Sequence, residues 1–165
     1  MATPHSRPPR IHTPVKIASL IVGVAFLLVG LLGFIPGITS DHDQLAGTGH
    51  DSGAMLFGVF QVSVLHNLVH VVFGLAGIAA ARAASAAAIY LLLGGLIYLA
   101  LWIFGLLIDK TGPSNFIPLN TADDWLHFTL GVGMIALGIS LTRASRTTAP
   151  SYDNEVTRGD DRRIG

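Results

Sequence analysis

The stretch Gln61-Val62-Ser63-Val64-Leu65-His66-Asn67-Leu68-Val69-His70-Val71-Val72-Phe73-Gly74-Leu75-Ala76-Gly77 decides how this chain is read. It is apolar enough for a membrane helix, yet it carries Ser63, His66, Asn67 and His70. At 100° per residue, Ser63, His66, Asn67, His70, Gly74 and Gly77 fall on one side of a helix. Leu65, Leu68, Val72 and Leu75 fall on the other. A polar group in hydrocarbon is costly, so it turns toward a bundle interior or a cavity and finds a partner there. The stretch therefore predicts a helix with one face for lipid and one face for neighbouring helices.

Three further apolar runs flank it. The expected helices cover about residues 17–35, 54–81, 84–108 and 124–142, which makes the chain an all-α, four-transmembrane-helix bundle. Composition agrees. Of 165 residues, 51% are hydrophobic and only 12% charged, against about 25% charged in average soluble domains. Formal net charge is zero, which gives nucleic acid no purchase as a partner. The absence of cysteine removes disulfides, thiolate metal sites, iron–sulfur clusters and covalently attached haem. Residues 1–16 and 143–165 are polar, and both are expected to be disordered tails.

Two loops separate the runs on one side. Gly37–Gly53 carries Asp41, His42, Asp43, His50 and Asp51, and it reads as a solvated, glycine-rich connector. The second loop runs from Asp109 to Asp123, with turns at Gly112-Pro113 and Pro118 and with Thr121 or Asp123 as the expected cap of the last helix. Lys and Arg concentrate in the N-terminal tail, at Arg82 and after Leu141, whereas the two loops are rich in Asp and hold only Lys110. The bias toward positive charge inside predicts that both termini and the Arg82 turn are cytoplasmic.

The second and fourth helices align on Leu65-His66 with Leu126-His127, Gly77-Ile78 with Gly138-Ile139, and Arg82 with Arg143. That alignment suggests two helix hairpins of the same orientation. At about 1.5 Å per residue, each histidine would stand about 24 Å above its arginine, in the outer half of the membrane. A candidate polar cluster follows: His66, Asn67, His70, Asp124 and His127.

Two classes of function stand side by side. In the first, the cluster hydrogen-bonds across helices, at about 0.6–2 kcal/mol per bond. Ser63, Gly74, Gly77, Gly131 and Gly138 then supply close helix packing. The protein would be a structural or accessory membrane component whose partners are the lipid bilayer and a homo-oligomer or larger membrane complex, with no enzymatic role. In the second, His66, His70, His127 and Asp124 hold a divalent metal, or His66 and His127 hold haem b, or the histidines relay protons. A zinc-protease helix needs Glu after its first His, and Asn67 stands there instead. Ser63 lacks a nucleophile-elbow context, so no catalytic residue is assigned.

His66-Asn67-Leu68-Val69-His70 with Phe73-Gly74, and Asp124-Trp125-Leu126-His127 with Leu130-Gly131, together resemble a bacterial four-helix membrane family described as a domain of unknown function, DUF4383, common in actinobacteria. The resemblance covers roughly Val15 to Arg143. It implies a four-helix plasma-membrane protein with motif residues at His66, Asn67, His70, Asp124 and His127. It brings no activity, ligand or partner.

Overall fold

The computed structural model describes residues 14–147. Within them the chain forms four α-helices: α1 (Pro14–Leu32), α2 (Val64–Ala80), α3 (Ala84–Leu107) and α4 (Thr121–Thr147). Three of these, α1, α3 and α4, are long and apolar enough to cross a membrane. The fourth, α2, has 17 residues and is about 26 Å long, slightly short of a hydrocarbon core of about 30 Å.

The helices pair as two hairpins. α1 packs most extensively on α2, and α3 on α4, while contacts between the hairpins are sparser. Small residues make both seams close. A methyl group at Gly23 would lie 2.7 Å from the Ile78 amide nitrogen and 2.8 Å from the Gly74 carbonyl oxygen. On the other seam, a methyl at Gly95 would lie 2.8 Å from the Gly131 carbonyl oxygen, and one at Gly138 would lie 2.9 Å from Leu92. Without Cβ atoms the backbones approach, and dispersion replaces the hydrophobic force that lipid cannot supply. Gly74 and Gly77 lie against Gly23 of α1, and Gly131 and Gly138 lie against Gly95 and Leu92 of α3. Ser63 is different: its hydroxyl accepts from the His66 amide, 3.1 Å away, so it caps α2 rather than packing a helix face.

The face pattern of α2 follows the sequence closely. Ser63, His66, Asn67, His70, Gly74 and Gly77 are all buried, while Leu68, Val72 and Leu75 are exposed. On α4, Asp124, His127, Gly131, Met134 and Gly138 are likewise all buried. An aromatic layer fills the bundle between the hairpins. Phe26 stacks on Tyr98 at 5.2 Å, and Phe73 contacts Phe26, Tyr90 and Tyr98 at 5.2–5.7 Å.

Several expected boundaries are corrected. The second helix starts at Val64, not near residue 54. The apolar run that precedes it folds into a three-stranded antiparallel sheet of β1 (Thr39–Ser40), β2 (Met55–Leu56) and β3 (Phe60–Gln61), in that order. Thr39 pairs with Leu56, and Leu56 with Phe60. The turn at Phe57-Gly58 breaks any helix there, because both residues have positive φ, 54° and 69°. Ala54, Leu56 and Val62 form a small apolar core under this sheet, against Val29 and Leu32 of α1. The first loop is thus a folded cap, not a solvated connector.

α1 starts at Pro14, where proline suits the first helical turn, and Val15 is buried, so residues 14–16 belong to the bundle. α1 ends at Leu32, short of residue 35, where the Leu32 carbonyl accepts from the Ile35 amide at 3.0 Å and from the Thr39 hydroxyl at 3.2 Å. α4 begins at Thr121 and runs past residue 142 to Thr147. Its cap is Asn120, and neither Thr121 nor Asp123 takes that place. Asn120 Oδ1 accepts from the Asp123 amide at 3.0 Å, and Asp123 Oδ2 accepts from the Asn120 amide at 2.9 Å. This is a reciprocal capping box. The rest of both expected tails lies outside the described residues.

The seams yield a direct test. Gly74→Leu should lower the stability of the bundle in detergent by about 1–3 kcal/mol, the usual result of overpacking a close contact. Gly133→Ala, at a position with open space around it, should not lower it. Reversible unfolding in a mixed-micelle titration measures both.

Candidate functional site

The end of the bundle under the sheet gathers most of the buried polar side chains. The five-residue cluster expected from sequence is split there into three parts. His66, His70 and His127 come together with Tyr98. The His66 and His70 rings stack at 4.7 Å, and Tyr98 meets His127 edge-on at 5.1 Å. Asn67 turns the other way, into the α1–α2 seam, where its side chain fills the space beside Gly33. Asp124 faces α3, where its carboxylate packs over Gly105 and forms an ion pair with Lys110 Nζ at 2.7 Å.

Hydrogen bonds set the tautomers. A carbonyl oxygen only accepts, so His66 Nδ1 donates to the Pro118 carbonyl at 3.3 Å, and His70 Nδ1 donates to the His66 carbonyl at 3.0 Å. In the uncharged rings both Nε2 atoms are then acceptors. The Tyr98 hydroxyl donates to His70 Nε2 at 3.4 Å. Among the described residues, His66 Nε2 has no hydrogen-bond partner. His127 Nδ1 is buried without one among them, as are Asn67 Nδ2, Trp102 Nε1 and Asp124 Oδ1.

Two cavities flank the histidines, of about 60 and 70 Å³. The first lies between α2 and α3 beneath the α3–α4 loop, walled by Val69, Leu101, Phe104, Phe116, Ile117 and Leu119. The second lies under the sheet and reaches Asp123, Phe57 and Phe60. His66, His70 and His127 are the residues that line both, so the imidazoles stand between the two chambers. Beneath them the aromatic layer of Phe26, Phe73 and Tyr98 fills the bundle.

The donor set does not fit the expected cofactors. Asp124 is committed to Lys110 on the α3 side, away from the three imidazoles. Among the described residues, no three His, Asp or Glu side chains stand close enough to hold a metal ion. Neither cavity has the volume for a porphyrin between His66 and His127.

Four residues outside the expected cluster complete the site: Tyr98, Lys110, Asn115 and Asp123. Tyr98 joins the two hairpins through His70. Lys110, the one Lys or Arg in the two acidic loops at the sheet end, also donates to the Gly105 carbonyl at 2.8 Å, near the end of α3. Asn115 is fully buried and organises the second loop: its amide donates to the Lys110 and Leu119 carbonyls, and its oxygen accepts from the Leu119 amide. Asp123 adds a link across the cap, accepting from the Gln61 amide at 3.1 Å. At the loop's start Asp109 accepts from the Thr111 amide and hydroxyl, and these two bonds hold its carboxyl below the usual carboxylate range. The sequence signal for Tyr98 was its helical spacing from Gly94, Trp102 and Gly105. For Lys110 it was a lone cation among aspartates.

The family model for a domain of unknown function, DUF4383, matches residues 16–140. The chain belongs to this family. No curated protein and no solved structure matches it. The matched span starts in α1 and ends in α4, so it takes in both hairpins, the sheet and every residue of the site.

The Lys110–Asp124 pair gives the sharpest expectation here. The Asp124 side chain is 2% exposed, and removing its counterion leaves a buried charge. Lys110→Met should destabilise the protein by about 3–5 kcal/mol, and the double variant Lys110→Met/Asp124→Leu should recover most of that loss. Thermal unfolding of the single and double variants in one detergent decides it.

Proposed function

We propose that this chain is a structural or accessory membrane component whose four helices all cross the bilayer and whose buried polar cluster holds the two hairpins and their outer cap in register. One observation carries the reading: the polar contacts run between elements. Tyr98 of α3 meets His70 of α2, His66 of α2 meets Pro118 of the second loop, Lys110 meets Asp124 of α4, and Asp123 of α4 meets Gln61 of β3. Each joins parts of the chain that dispersion in lipid would leave free to slide. Ser63, the one hydroxyl near the imidazoles on α2, is spent on a helix cap, which supports a non-enzymatic role.

The distribution of charge supports an orientation. Lys16, Arg82 and Arg143 lie at the end of the bundle away from the sheet, and the sheet end carries Asp41, Asp43, Asp51 and Asp109. With positive charge inside, both termini face the cytoplasm of a bacterial cell and the cap faces outward. Exposed leucines, isoleucines and valines on all four helices suit acyl chains, or a second copy or larger membrane assembly.

In this reading the histidines act through hydrogen bonds. His70→Phe and Tyr98→Phe should each lower stability by about 1 kcal/mol, with strongly non-additive losses in the double variant because both remove the same bond. Protein purified without a His-tag or chelator should carry no stoichiometric metal and show no visible absorption. Additive losses, or a metal that disappears in His66→Ala and His127→Ala, would overturn the reading.

A further inference from the structure

Consecutive helices α2 and α3 touch much less than the partners within either hairpin, and the looser packing leaves a cleft near the outer end. The cavity of about 60 Å³ sits in this cleft. Its floor is formed by His66, His70, His127 and Tyr98, and its rim includes Val69 and Phe116, which are 44% and 54% exposed. An apolar rim at the side of a membrane bundle opens on acyl chains, not on water. We propose that this cleft binds an uncharged, hydroxyl-bearing molecule from the lipid phase, with its hydroxyl among the imidazoles and its hydrocarbon chain leaving past Val69 and Phe116.

The chemistry of the floor selects the head. Because His66 Nδ1 is committed to the Pro118 carbonyl, Nε2 in the uncharged ring offers a lone pair and needs a donor. His70 Nε2 already receives the Tyr98 hydroxyl. His127 is 4% exposed and its Nδ1 has no partner, so either tautomer is open to it. A hydroxyl both donates and accepts: it can donate to His66 and accept from the N–H of His127. A ketone or ester carbonyl can satisfy only His127, and would face the His66 lone pair with one of its own.

Charge and size narrow the class further. No Asp, Glu, Lys or Arg lines this cavity. Lys110 is held by Asp124, and Asp123 lies on the other chamber. A carboxylate, phosphate or ammonium head would therefore enter a low-dielectric chamber without a counterion, at a cost of several kcal/mol. The volume suits a few water-sized groups and not a ring system, so a primary alcohol on an alkyl chain fits where a bulky polar headgroup does not. The proposal does not depend on the structural role of the cluster, since the His66 and His127 nitrogens it uses are those that the inter-element bonds leave free.

The test uses the full chain, ¹⁵N-labelled at histidine and reconstituted in lipid nanodiscs. Dodecan-1-ol is titrated in, with dodecane and dodecanoate as comparisons. The His66 Nε2 resonance, identified by its loss in His66→Phe, should move saturably with the alcohol and stay still with dodecane. Dodecanoate should bind at least about tenfold more weakly, as expected for a charged head without a counterion. Val69→Trp, which fills the mouth, should weaken the alcohol response by about tenfold or abolish it. If His66→Phe does not fold, the comparison of wild type with Val69→Trp still decides the matter. A resonance that does not saturate, an equal response to dodecane, or full binding in Val69→Trp would each overturn the proposal. The first would mean that water alone occupies the chamber.

Discussion

The capped half of this protein depends on one half-buried ion pair, Lys110 Nζ to Asp124 Oδ2 at 2.7 Å. Its geometry reaches beyond the two residues. Lys110 also closes the end of α3 through the Gly105 carbonyl, and Gly105 lacks the Cβ that would strike the Asp124 carboxylate. Asp124 is in the first turn of α4, so fixing it fixes where that helix begins. One residue earlier, Asp123 closes the capping box with Asn120 and receives the Gln61 amide of β3. Three residues later, His127 is aimed into the chamber. A negative group in the first turn also meets the positive end of the helix dipole. The pair thus sets the end of one hairpin, the start of the next helix and the seat of the cap together.

Much of this was legible from the chain, and the reasons are physical. Hydrocarbon admits few polar groups, so the positions of Ser63, His66, Asn67 and His70 drew the buried face of α2 almost residue by residue. The same logic placed Asp124, His127, Gly131, Met134 and Gly138 on one buried face of α4. What the sequence did not disclose was direction within that face. Helical periodicity gives an angle about the axis, but side chains a turn apart can bend to different neighbours. Asn67 and Asp124 share the buried faces with the histidines and yet serve the α1–α2 seam and the α3–α4 seam. The expected metal site joined Asp124 to His66, His70 and His127, from which packing separates it.

The sheet was hidden for a different reason. Ala54–Val62 is apolar and runs straight into the α2 pattern, so hydropathy alone fuses the two. The strands are only two residues long, too short to display an alternation. Their signals are local: a left-handed turn at Phe57-Gly58, and Ser63 placed to cap the helix that follows. The Phe57 conformation is unusual for an aromatic residue and is held in part by its own amide, which donates to the Ile38 carbonyl at 3.0 Å. Tertiary contacts with α1 through Leu56 and Val62 then make the cap part of the bundle.

The two halves of the bundle solve the same problem by opposite means. Toward the basic end, the helices approach through glycine and fill the centre with Phe26, Phe73, Tyr90 and Met134, leaving little room. Toward the capped end, rings and carbonyls replace that filling, and the space left over becomes two chambers. A purely mechanical polar lock would be expected to leave no unpaired nitrogen, because each one buried without a partner costs about 1–3 kcal/mol. His127 Nδ1 is such a nitrogen, and it stands beside a cavity. The combination of a rigid aromatic floor, tautomers fixed by Pro118 and His66 carbonyls, and unspent ring nitrogens is what a preorganised binding site requires. The proposed structural role and the proposed binding site are therefore not rivals: the bonds between the hairpins also decide which imidazole atoms remain free.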